Sequence, residues 1–232
     1  MEPERRKTKK YTFKSLEVEE LRKLGSLIVD QDKICRKYGR LLYLLRTKME
    51  EGILSTLIHF YDSLYHCFTS LINNYCLPWK SIQVLLGYLL LEDPFIGLEQ
   101  DPKPCEIAKS THLRKGEIEK NIVTKGGLHR LPVVFLIEKA LTLSQEIKEE
   151  DFEAIFSLLV YGLFLFPNTN NFVDVNAIKI FMKKNLVPTL LGDTYYSIHL
   201  KNSYGKGMVT CCTPLLYKWY ISHLPDTPEF WS

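Results

Sequence analysis

EEDFEAIFSLLVYGLFLF, residues 149–166, is the stretch on which the fold turns. Its apolar part, Ile155 to Phe166, runs for 12 residues with one Ser and one Gly. A membrane-spanning helix needs about 20 residues. The run therefore reads as the buried central helix of a globular domain, stopped by Pro167-Asn168.

Outward from it, apolar residues recur at helical spacing. Leu16, Leu21, Leu24, Leu27 and Ile28 mark one helix. Asp30 or Asp32 caps a second, in which Tyr38, Leu41, Leu42 and Leu45 form a stripe that Gly52 breaks. Ile53 to Phe68 predicts a third, with Leu54, Leu57, Ile58, Tyr61, Leu64, Tyr65 and Phe68 on one broad face. Residues 114–123 and 131–146 read as helices separated by a Gly126-Gly127 break. Residues 173–183, 189–201 and 213–224 complete the set, with Pro188 and Pro214 at or near first turns. Lys183-Lys184 sit at a helix C-terminus, where cations are favoured. The expected fold is all-α: a compact multi-helix domain of about nine or ten helices with little or no sheet. A single helical region spans 14–225, between a flexible basic tail at 1–13 and a C-terminal tail at 226–232. Residues 92–105 (EDPFIGLEQDPKPC) hold three prolines and a glycine, a loop and the candidate subdomain break.

The chain has 232 residues, 46% of them apolar, enough to bury a core. Its net charge is +3. Arg5, Arg6, Lys7, Lys9 and Lys10 against Glu2 and Glu4 already account for that +3, so the other 222 residues are neutral overall. A nucleic-acid-binding body carries a basic excess, because phosphate neutralisation drives its affinity. Only the tail PERRKTKK fits such a role, as a nuclear-targeting or nucleic-acid patch of Arg5, Arg6, Lys7, Lys9 and Lys10. Its plain alternative is a solvated terminus. No signal peptide is visible, so a nuclear or otherwise cytoplasmic location with reduced thiols is expected.

Chemical motifs are weak. Cys35, Cys67, Cys76, Cys105, Cys211 and Cys212 show no framework spacing. His66-Cys67 and Cys211-Cys212 with His223 are the only Cys/His clusters. On a helix, Cys212 and His223 fall about three turns apart, too far for one zinc. Cys211 with His199 is the one nucleophile–base pair worth naming, and sequence cannot bring the two together. Gly205-Lys206-Gly207 and Lys125-Gly126-Gly127 are too short for phosphate loops. The aromatic segment Leu215 to Leu224, with Tyr195-Tyr196, is a packing face or an interaction face. No cofactor, no metal and no membrane are expected.

Ser70 to Val84 (SLINNYCLPWKSIQV) reads as if translated out of frame. Cys76 to Ile82 can be coded TGC CTA CCT TGG AAG AGT ATT. One nucleotide earlier, the same bases give (Leu or Met)-Pro-Thr-Leu-Glu-Glu-Tyr. With Ser70-Leu71 and Asn74-Tyr75 treated alike, F-P-D-x-Q-L-(L/M)-P-T-L-E-E-Y is recovered. Ile72-Asn73 resists, giving Gln, Lys or stop. Pro-Thr-Leu-Glu-Glu is a strong helix opening, whereas the in-frame text puts Lys80 at the positive helix end. Cys76 lies inside this stretch and is expected to carry no selected role.

That string resembles the signature of a plant-specific helical family of unknown function, related to the plant mobile domain, also called aminotransferase-like. The resemblance is to legume-type members. It extends through KSLEVEELRKLGSLIVDQDK (14–33), EGILSTLIHFYDSLYHCF (51–68), PFIGLE (94–99), LLVYGLFLFPN (158–168), FVDVNAIKIF (172–181), VPTLLGDTYYSIH (187–199) and TCCTPLLYKWYISHLP (210–225). Members of that family normally continue further, so the resemblance implies a truncated, internally frameshifted copy. It implies a transposable-element-associated, non-enzymatic interaction module with an unknown protein partner. A pyridoxal-phosphate activity is not implied, because it needs an α/β fold and a Schiff-base lysine. Two alternatives stand beside it: sequence-indifferent nucleic-acid binding through the tail, and a degenerate pseudogene product without function.

Overall fold

The computed structural model describes residues 11–16, 18–69, 74–87, 101–184, 186–204 and 208–223. The basic residues Arg5 to Lys10, residues 70–73, most of the 92–105 loop and Gly205 to Gly207 lie outside these.

Four short helices open the fold: α1 (Val18–Ser26), α2 (Gln31–Tyr38), α3 (Leu41–Leu45) and α4 (Glu51–His59). Three strands follow, β1 (Tyr61–Asp62), β2 (Cys67–Thr69) and β3 (Asn74–Tyr75), then α5 (Trp79–Leu86). Next come α6 (Pro104–Thr111), α7 (Lys115–Asn121), β4 (Val123–Lys125), β5 (Leu128–Pro132), α8 (Val133–Gln145) and α9 (Glu149–Val160). The last elements are β6 (Phe172–Asp174), α10 (Val175–Lys183), α11 (Leu186–Tyr204) and α12 (Thr213–Ile221).

The stretch at 149–166 is the axis. α9 carries three acids in its first turn, where the helix dipole favours them. It runs on into one π-turn, Tyr161–Leu165. Every residue from Phe152 to Phe166 is buried. α1, α6, α8 and α10 pack around this axis. Gly162 sits where the π-turn meets β6. A Cβ there would lie 2.6–2.9 Å from three Val173 side-chain atoms, so the approach requires glycine.

The chain is helix-rich but not sheet-free. β1-β2-β3 and β4-β5-β6 form two small antiparallel sheets. Gly126 and Gly127 do not merely break a helix. Both have positive φ (63° and 78°), and Lys125 pairs with Leu128, giving the two-residue hairpin that a Gly-Gly pair favours. The helix expected over 53–68 ends at His59. Asp62 accepts hydrogen bonds from the Leu64 and Tyr65 amides at 2.8 and 3.2 Å, and His66 adopts positive φ. Those contacts reverse the chain, and they leave Leu64 and Tyr65 exposed rather than in the core. Twelve α-helices occur among the described residues, more than the nine or ten expected. Gly39, at φ 77°, splits the second expected helix into α2 and α3, and α6 falls where none was expected. Gly52 lies within the first turn of α4 and breaks nothing.

The end of the stretch read as tail is packed. Tyr11 is buried and donates to Asn202 Oδ1 at 2.9 Å, while Phe13 bridges Val209 in parallel. The residues that follow β3 also fill core positions. α5 starts directly after Pro78 without a side-chain cap, yet Leu77, Ile82 and Leu86 are buried, and α5 packs on α11 and α12.

Candidate functional site

Three places bring chemistry-bearing side chains together. The first lies where β1 and β2 meet α11. Tyr61 Oη and His66 Nδ1 are 3.0 Å apart. The His66 ring lies 6.3 Å from Tyr195 and 5.9 Å from His199. Tyr195 Oη accepts from the Leu77 amide at 2.8 Å and donates to the Leu77 carbonyl at 3.3 Å, which ties the approach to α5 onto α11. Burial pushes the Tyr195 phenol up to about 12 and raises Tyr61 as well. Both phenols stay protonated at neutral pH and act as hydrogen-bonding anchors.

The second is acidic and buried. Asp174 caps α10 by accepting from the Ala177 amide at 2.9 Å. Burial, with the Asp174 charge adding to it, pushes the Asp193 carboxyl up to about 7. Its Oδ2 is buried without a hydrogen-bond partner. Desolvation drives the nearby Cys212 thiol up to about 12 and Cys211 well above its ordinary value. Nucleophilic cysteines need the opposite shift. The Cys211–His199 pairing gains no support, because His199 faces His66 and lies 3.2 Å from Ser203 Oγ. Cys212 and His223 flank opposite ends of α12, and His223 Nδ1 is 2.7 Å from the Trp219 carbonyl. Among the described residues, no three His, Cys, Asp or Glu side chains gather as metal ligands. No described helix is long and apolar enough to cross a membrane.

The third is a surface groove of about 250 Å³ between the α1–α2 and α8–α9 connections. Ile28, Leu143 and Phe152 line it from the core, and Lys148, Glu149 and Glu153 add charge. Leu27 is 43% exposed, while Val29 and Ile147 are each 81% exposed. Ile147 ends α8 in a Schellman arrangement. Its amide donates to the Ser144 carbonyl at 3.3 Å, and the Lys148 amide donates to the Leu143 carbonyl at 3.0 Å. The position normally holds glycine, yet here a β-branched side chain sits at φ 58°. The periodicity missed this groove because Leu27 and Ile28 both counted as core. Only the Val29-Asp30 step out of helical register marked it.

Arg5, Arg6, Lys7, Lys9 and Lys10 lie outside the described residues, so no geometry attaches to them. The family model described as Domain of unknown function (DUF7745) matches residues 21–231, and the chain belongs to that family. No curated protein matches the chain, and no solved structure does.

Proposed function

We propose, from membership of this family of unknown function, that the chain is a non-enzymatic protein-interaction module. Its docking point is the groove around Val29 and Ile147. The observation that carries the reading is Ile147, a β-branched residue exposed at positive φ beside a second exposed aliphatic side chain. Strain of that kind persists where the surface is used. Size argues the same way. At about 250 Å³ the groove falls below the roughly 300–1,000 Å³ of small-molecule pockets, and it suits one anchoring apolar side chain of a partner helix. The Tyr195 phenol and the Cys211 and Cys212 thiols are also held protonated by burial, which disfavours them as nucleophiles.

The test is cross-linking capture with wild type and with Val29→Lys/Ile147→Lys. Both substitutions are on the surface, so circular dichroism should match. The same partner set retained by both proteins overturns the reading.

The basic tail carries a second reading, because the chain's whole positive excess lies in residues 1–10. Salt-steep, sequence-indifferent DNA binding that vanishes on deletion of residues 1–13 supports it, and binding that survives deletion rejects it. Nuclear targeting through the same residues is read by a fluorescent fusion carrying alanines at Arg5, Arg6, Lys7, Lys9 and Lys10. We further read the chain as a transposon-associated relative of the plant mobile domain with a shifted frame over Ser70 to Val84. Genomic sequence across codons 66–90 tests this: two compensating single-base changes support it. Absence of a Pro-Thr-Leu-Glu-Glu-Tyr string in any frame rejects it.

A further inference from the structure

The structure carries a cysteine pair that only the strand register reveals. β2 and β3 are antiparallel, with Thr69 opposite Asn74 and Phe68 opposite Tyr75. β3 ends at Tyr75, and continuing its register by one residue sets Cys67 opposite Cys76, the residue just past the strand. Directly opposed residues on antiparallel strands have Cα atoms about 4.5 or about 5.5 Å apart, depending on the kind of pair. Both distances fall within the roughly 4.4–6.8 Å that a disulfide spans. Opposed residues also project from the same face of the sheet. The side chains agree with the backbone, since the Cys67 thiol lies within hydrogen-bonding reach of the Cys76 thiol. Both cysteines are free, Cys67 buried and Cys76 exposed.

We infer that Cys67 and Cys76 form a redox-modification site, closed to a cross-strand disulfide by a peroxide oxidant. The exposed Cys76 meets hydrogen peroxide first. Its thiolate attacks one peroxide oxygen, an S–O bond forms, the O–O bond breaks, and the departing hydroxide takes a proton to leave as water. The Cys67 sulfur then attacks the Cys76 sulfur of the resulting sulfenic acid. The S–S bond forms, the S–O bond breaks, and the hydroxide released takes up the Cys67 proton as a second water. Two thiols and one peroxide become one disulfide and two waters. The arrangement suits this order: an accessible thiol takes the oxygen, and a buried one resolves it with no second protein molecule. The bond fastens the approach to α5, already held through Leu77 and Tyr195, onto β2. If the shifted frame proposed above holds, this site belongs to this copy rather than to its family.

The sequence makes the test direct. Trypsin leaves Cys67 and Cys76 together in one peptide, Met49 to Lys80, which contains no other cysteine. After treatment of the full chain with hydrogen peroxide, titratable thiols under denaturing conditions should fall from six to four. The 49–80 peptide should become about 2 Da lighter, and dithiothreitol should reverse this. Cys76→Ser, at an exposed position, and Cys67→Ser should each abolish the loss. Cys105→Ser should leave it intact. Stable overoxidation of Cys76, a disulfide-linked dimer, or a bridge mapped to any other pair overturns the proposal.

Discussion

Gly162→Ala is the sharpest test of how β6 docks on the central helix. In an ordinary helix this change stabilises by about 1 kcal/mol, because alanine is the better helix former. Here the added Cβ would lie 2.6, 2.7 and 2.9 Å from Val173 Cγ2, Cγ1 and Cβ. Val173 is fully buried on β6, where it pairs with Leu131, so it has no free direction in which to retreat. Overpacking of this kind costs about 1–3 kcal/mol, and three contacts under 3.0 Å place it at the upper end. Set against the propensity gain, the net loss is about 2 kcal/mol. Urea denaturation measures it directly. Val173→Ala alone costs about 2 kcal/mol in lost burial and cavity. Because it removes both Cγ atoms, the double variant should be more stable than the summed losses imply, by about 1–2 kcal/mol. A Gly162→Ala protein as stable as wild type, or additive single changes, refutes the packing described.

Three further outcomes are expected. Ile147→Gly relieves about 1–2 kcal/mol of left-handed strain and returns about 0.5–1 kcal/mol as unfolded-chain entropy, so thermal or urea unfolding should show a gain of about 0.5–1 kcal/mol. An equal or lower stability contradicts the strain. Asp193 has its carboxyl raised from 3.8 to about 7 by burial, so between those values the folded chain binds the extra proton. Stability from this group therefore falls as pH rises towards 7. Asp193→Asn should remove a decline on the order of 1 kcal/mol between pH 5 and pH 8, and a variant with the same decline rules this out. Asp174→Ala strips the cap of α10 and should cost about 1–2 kcal/mol by denaturation, whereas Asp174→Asn should cost less.

The helices around the axis were legible because they obey one period. Residues 155–166 are apolar nearly all round, which requires burial on every side, and the end of α9 with its π-turn meets that requirement. Val133–Gln145 and Thr213–Ile221 lie within the stretches that periodicity marked. The two sheets were less legible, because strands of two or three residues give too few alternations to outweigh helical spacing. Leu64 and Tyr65 fit a helical face from Leu54 onward, and only the local bonding of Asp62 reverses the chain first. The Gly126-Gly127 pair did carry a hairpin signal, legible as turn chemistry rather than as a helix break. Asp174 likewise had the chemistry of a cap, and it moves the start of α10 two residues past the periodic one.

Sites were hidden for a different reason: each depends on a pairing that no local pattern encodes. Cys67 and Cys76 are nine positions apart, and only the register of β2 on β3, continued one residue past Tyr75, brings them opposite each other. A slip of one residue would send their side chains to opposite faces. Asp193 sits mid-helix like any surface acid until α10 brings Asp174 beside it. Ile147 shows the limit most plainly. Local rules call for glycine at the end of α8, and the hydrogen bonds that close the helix are those a glycine would make. Choosing isoleucine there costs stability and places an aliphatic side chain in water at 81% exposure. Neither propensity nor core packing accounts for that choice, and the docking proposed at the Val29–Ile147 groove would. A glycine substitution that raises stability while abolishing capture would tie the strain to the surface it presents.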